Sequence, residues 1–255
     1  LHKRCSMTFR ERFEAIIVKR GESLGWKLSL HTAWVSSALF VLTYGYLMLT
    51  EPATLPVTAN KASANTAMIL IGLSFALSGL CYFWNFIDTK IVYRKYLGLA
   101  GFAFGLAHAV MSLVYYLFLK PRGYESSPLY VLDHVWDYGT FVISNLYAFA
   151  LAVIALLIFA MMTAISNQYA IHELGGVWWR RLLRVGYVAY ILATFHFLIK
   201  NVPEWQVMFA TPQSELPPLN FMIFLLVCGV IGLRLALGYS LWKKSRATTV
   251  TPVSG

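Results

Sequence analysis

Two histidines stand inside long apolar runs of this chain: His108 in LGLAGFAFGLAHAVMSLVYY (97–116) and His196 in RVGYVAYILATFHFLIK (184–200). An imidazole in such a setting has two uses. It hydrogen-bonds a neighbouring helix, or it lends a ring nitrogen to a metal. Left without either partner it costs about 2–7 kcal/mol to bury. For a lone histidine the two readings are equally good, but two at the same level favour a shared role.

The elements that must position them follow from composition. The chain is 58% hydrophobic, 16% aromatic and only 13% charged, which is a membrane composition. Six apolar runs, near 29–49, 66–87, 96–119, 141–164, 185–200 and 220–242, are long enough to cross a hydrocarbon core of about 30 Å as helices. The fifth is short and needs Trp178 and Trp179 as an interfacial lead-in. Basic residues lie mostly on one side. With the N-terminus inside, Lys3, Arg4, Arg10, Arg12, Lys19, Arg20, Lys27, Lys90, Arg94, Lys95, Arg180, Arg181, Arg184, Lys243, Lys244 and Arg246 share the cytoplasmic face, against Lys61, Lys120, Arg122 and Lys200 outside. The net charge of +10 therefore reads as topology rather than as a nucleic-acid surface, and no nucleic-acid motif is present.

The predicted fold is an all-α integral membrane protein: a six-helix bundle with both termini cytoplasmic. Residues 1–28 form a cytoplasmic interfacial segment, with Phe9, Phe13, Ile16 and Ile17 on one helical face; 29–242 form the membrane domain; 243–255 form a short tail. The start lacks the apolar core and small-residue site of a cleaved signal peptide. Loops 120–140 and 201–219 are expected along the outer interface. Cys5, Cys81 and Cys228 suggest no disulfide framework, and no sequence repeat of useful strength stands out.

On this topology the third and fifth spans run in the same direction. His108 follows Lys95 by 13 residues and His196 follows Arg184 by 12, so at about 1.5 Å per residue both lie roughly 20 Å from the inner interface. Two imidazoles at equal depth can ligate one metal centre from opposite sides. With no Cys, Asp or Glu in the apolar middle to complete a tetrahedron, the axial positions of a haem iron suit them better than zinc does. Gly98, Gly101 and Gly105 share a face of the third span, where missing side chains admit either a flat macrocycle or, more commonly, a neighbouring helix. Phe102, Phe104, Phe195 and Phe197 are placed to wall a porphyrin, but aromatic residues are too common here to carry weight.

At these residues the sequence resembles the ferric-reductase-like transmembrane domain family. That family includes ferric reductases, NADPH oxidases and the bacterial haem-binding membrane subunit that serves a periplasmic methionine-sulfoxide reductase. The resemblance covers about residues 66–200. YRKYLGLAGFAFGLAH looks like the family's basic pair, Leu-Gly turn and first ligand histidine; LLIFAMMTAIS resembles a span closing on a Thr/Ser-containing end; WWRRLLRVGYVAYILATFHF is similar to the Trp-Arg-Arg-Leu-His-Arg stretch followed 13 residues later by a second histidine. It departs at Leu183, where bacterial members usually have histidine. An inner bis-histidine haem would need histidines where Arg94, Lys95, Leu182 and Leu183 stand. The resemblance therefore implies one haem b, on His108 and His196 with Gly101 and Gly105 beside it, and a flavin or quinone in the inner half.

The implied function is a b-type membrane cytochrome, the electron-transfer subunit of an oxidoreductase in the bacterial inner membrane. It would link a quinol or flavoprotein donor to an outer-side acceptor, within lipid and in a larger complex. Because LWKKSRATTVTPVSG follows the sixth span with no nucleotide-binding domain, it is expected not to be a complete NAD(P)H-dependent enzyme alone. Lys120, Arg122 and Lys200 are the nearest outer cations for haem propionates. His31, at the start of the first span, is as well explained by an interfacial hydrogen bond; His134, beside Asp133 and Asp137, by solvated loop; His172 and Glu173 lie in the inner loop. A different class stays open, a non-catalytic scaffold or anchoring subunit of a membrane complex. A transporter ranks last, since no paired acidic residues interrupt a span.

Overall fold

The computed structural model describes residues 9–50, 53–84, 87, 90–114, 139–210 and 217–249, and among them no strand occurs. Among the described residues six helices follow one another: α1 (Phe9–Thr50), α2 (Leu55–Phe83), α3 (Tyr93–Val114), α4 (Gly139–Ala164), α5 (Gln168–Ala210) and α6 (Leu219–Thr249). Each contains a stretch long and apolar enough to cross a membrane. α1 is unbroken from Phe9, so the residues expected along the interface lead directly into the first span.

Three boundaries differ from the sequence reading. α2 begins at Leu55, not near 66, with Thr54 extended (φ −63°, ψ 145°) and a proline in the first turn, where no intrahelical N–H is required. The polar stretch Asn60–Asn65 looks like loop but packs on other helices: Ser63 and Asn65 are buried. α2 also ends early, at Phe83, where the Trp84 N–H closes on the Leu80 carbonyl at 2.8 Å.

The third difference lies in α5, which continues through most of the loop expected at 201–219. Trp205 is buried there, its indole N–H donating to Asn220 Oδ1 (3.0 Å), while the Asn220 amide donates to Asn201 Oδ1 (2.7 Å). This side-chain bridge ties the end of α5 to the start of α6. At its other end α5 breaks at Gly175, whose φ of 71° and ψ of 146° suit only a residue without Cβ. The span proper is Arg181–Val202. Of its expected aromatic lead-in, Trp178 is exposed and Trp179 donates from Nε1 to the Ile165 carbonyl at the end of α4 (2.9 Å).

α2 is the central helix. It packs on α1, α3, α5 and α6, and its buried positions are largely small: Ala62, Ser63, Thr66, Ala67, Gly72, Ser74, Ala76 and Gly79. Between membrane helices, where apolar burial drives little association, such residues let backbones approach and dispersion contacts accumulate. A Cβ added at Gly101 would lie 2.6 Å from Ile71 Cγ1 and 3.0 Å from the Ile71 nitrogen; one at Gly105 would meet only Ala67 Cβ, at 3.7 Å, and one at Gly98 would meet Ser74 Oγ at 3.3 Å. The glycine stripe thus seats α3 on α2. Of its two readings, close helix approach is seen at Gly101, where Ile71 occupies the space, while Gly105 has only Ala67 Cβ near it.

The bundle is built on two intimate pairs, α2 with α3 and α4 with α5. α3 also meets α4, but α3 and α5 hardly touch. The helices that carry the two histidines therefore do not pack together.

Candidate cofactor site

Arg94, at the start of α3, and Arg184, on α5, line the same cleft at one end of the bundle, here called the basic end. α3 and α5 both rise from that level. His108 is 14 positions beyond Arg94 and His196 is 12 beyond Arg184, which at about 1.5 Å per residue sets both roughly 18–21 Å away. Both histidines thus lie at comparable distances along their helices from the cleft.

Both rings are held by the same device. His108 Nδ1 lies 3.2 Å from the main-chain carbonyl oxygen of Asn60 on α2, and His196 Nδ1 lies 2.8 Å from that of Ala148 on α4. A carbonyl only accepts, so in each ring the proton sits on Nδ1 and the lone pair on Nε2. Each carbonyl lies within a helix and uses its second lone pair for the imidazole. Among the described residues neither Nε2 has a hydrogen-bond partner. An imidazole with Nδ1–H tied to a carbonyl and Nε2 free is the form in which histidine binds metals.

The arrangement is repeated. Each histidine bonds a carbonyl 48 residues before it, on the helix with which its own helix pairs. The hairpins α2–α3 and α4–α5 present their histidines alike although their residue types share no usable repeat. On α2 the Asn60 side chain adds a brace, its amide donating to Ser112 Oγ, one turn beyond His108, at 3.0 Å. Ala148 is fully buried, and its small side chain lets the His196 ring approach the backbone.

The other expected residues separate from this pair. Phe104 stacks on Phe40 (centroids 5.5 Å apart), Phe197 is buried against Trp205 (6.3 Å), Phe102 packs on the core and Phe195 faces outward. Lys200 lies one turn beyond His196. Lys120, Arg122, His134, Asp133 and Asp137 fall outside the described residues. His31 is exposed, its ring 5.5 Å from that of Tyr93; His172 is exposed with Nδ1 3.6 Å from Glu173. Neither approaches the central pair. Cys81 and Cys228 are free thiols. Among the described residues no cluster of three or more His, Cys, Asp or Glu is placed to hold a metal ion.

Sequence reasoning overlooked Arg234, the one charge within the apolar run of α6. Its guanidinium lies 4.3 Å over the ring of Tyr187, whose centroid is 4.6 Å from that of Phe75, which is in turn 5.4 Å from Tyr190. The signal was present, since a lone arginine in a span marks function by default, but it was masked by the basic cluster that follows at 243–246. Arg94 and Leu183, positions where an inner haem would need histidine, both line the cleft beside Arg234.

A scan against family models finds no match to this chain, and no curated protein matches it.

Proposed function

We propose that this chain is a b-type membrane cytochrome in which Nε2 of His108 on α3 and of His196 on α5 would hold the iron of one haem b. The observation that carries the reading is the pair of Nδ1–carbonyl bonds, which directs two free lone pairs from helices that do not pack on each other. Two histidines that served only to join helices would end their role in those bonds, and nothing would then require matched depth. A bound haem would supply one-electron redox chemistry. The chain's own part is to fix both ring tautomers, keep the ligand nitrogens dry and hold them at one level.

The basic end faces the bacterial cytoplasm in this reading, by the positive-inside rule. A quinol or a separate flavoprotein delivers electrons there, and the acceptor lies on the opposite side. The protein acts as an electron-transfer subunit of an oxidoreductase, in lipid and in complex with its donor and acceptor. The resemblance to ferric-reductase-like membrane domains rests on the residues quoted for it and agrees with this role.

The test is the optical spectrum of detergent-purified protein, oxidised and dithionite-reduced, beside His108→Ala and His196→Ala. A low-spin b-type spectrum that either substitution abolishes is the expected result. A folded wild type that takes up no haem even when reconstituted with excess would overturn the cytochrome and leave a scaffold subunit.

A further inference from the structure

At the basic end, α2, α3, α5 and α6 enclose a cleft of about 270 Å³ whose walls include Arg94, Arg184, Arg234, Ser78, Trp179 and Tyr187. Three guanidiniums around one small space repel each other and need a counter-charge. Among the described residues none comes from the protein: no carboxylate pairs with Arg94, Arg184 or Arg234, and the Arg234 head group lies over the Tyr187 ring at 4.3 Å. Arg94 and Arg234 are half-buried, whereas Arg184 is exposed. Ser78 on α2 forms part of the wall, its hydroxyl buried without a hydrogen-bond partner.

We infer that this cleft binds the phosphate group of a phosphate ester. Three guanidiniums offer more N–H donors than one carboxylate can accept, whereas a phosphate presents several oxygens and up to two charges, and paired N–H groups on guanidinium match that geometry. Trp179, whose own N–H is committed to the Ile165 carbonyl, contributes only its ring, and Tyr187 contributes another, so the esterified remainder meets an apolar flank. Basic pockets between membrane helices take phospholipid head groups in this way, and a soluble phosphorylated cofactor carries the same group. The site lies about 20 Å along α3 from His108, counted at 1.5 Å per residue, so its occupancy is independent of haem.

The experiment uses the full chain in nanodiscs of phosphatidylcholine alone or mixed with phosphatidylglycerol, with inorganic pyrophosphate as the soluble probe. Lipid retained on the protein is counted by native mass spectrometry, and thermal stability is recorded in parallel. Selective retention of phosphatidylglycerol identifies a lipid head group as the source; stabilisation by pyrophosphate in phosphatidylcholine discs identifies a soluble phosphate. In either case Arg234→Gln and Arg94→Gln should weaken binding at least tenfold, Arg234→Lys should weaken it less, and Arg181→Gln, an exposed arginine stacked on Trp178 outside the cleft, should leave it unchanged. His108→Ala should also leave it unchanged. Should Arg234→Gln fail to fold, Arg184→Gln and Arg234→Lys carry the comparison. Binding of neither probe to the wild type, or equal losses in Arg181→Gln and the cleft variants, would overturn the site.

Discussion

The Nδ1 of His196 lies 2.8 Å from the carbonyl oxygen of Ala148, and this bond decides which nitrogen of the ring is left to act. The acceptor is main chain, so the side chain at 148 controls only the space. Ala148→Leu should push the ring off its carbonyl and lower haem retention about 10- to 100-fold, the usual effect of losing the partner that orients a ligand histidine. Asn60→Ala, which keeps the carbonyl used by His108, should retain haem far better. Reduced-minus-oxidised absorbance per mole of protein, after a detergent wash, separates the two.

If both histidines are axial ligands, exchanging one for a thioether alters the potential without emptying the site. His196→Met is expected to keep a low-spin spectrum and to raise the midpoint potential, because methionine favours ferrous iron. An equilibrium redox titration against wild type gives the sign directly.

The glycine stripe on α3 makes a graded prediction. At Gly101 an added methyl collides with Ile71, including its backbone nitrogen, whereas at Gly105 it reaches ordinary contact distance from Ala67. Gly101→Ala should destabilise by about 1–3 kcal/mol, the range for overpacking, and Gly105→Ala should be near neutral. Thermal unfolding in detergent, with haem absent from both samples, measures packing alone.

Gly72 and Tyr190 are coupled. The Tyr190 hydroxyl is buried without a partner, and a Cβ at Gly72 would sit 2.6 Å from it. Tyr190→Phe should therefore be neutral or stabilising, since no protein hydrogen bond is lost. Gly72→Ala alone should destabilise, and the double variant should recover at least part of the loss. A double-mutant cycle reads the interaction as non-additivity; strict additivity would disprove the contact.

Orientation is checked separately. In a chain whose native cysteines are replaced by serine, Lys243→Cys should react with an impermeant maleimide in inverted membrane vesicles and stay protected in spheroplasts. The opposite pattern would place the basic end outside and reverse the proposed direction of donor access.

The sequence by itself determined the six spans and the similar heights of His108 and His196 along theirs. Hydropathy is a sum over local residues, and a helix converts residue count into height at a constant rise. It misjudged the start of α2, because Ser63 and Asn65 are polar yet face other helices, and the length of α5, because Trp205 and Asn201 find their partner in Asn220 across a gap in sequence. Only the tertiary structure decided that Gly101 makes room for Ile71, and that Arg234 joins Arg94 and Arg184 at one cleft. It alone supplied the acceptors for the two imidazoles. Every residue carries the same carbonyl, so no residue type could announce Asn60 or Ala148 as the partner; which carbonyl a ring meets depends on which helices lie side by side.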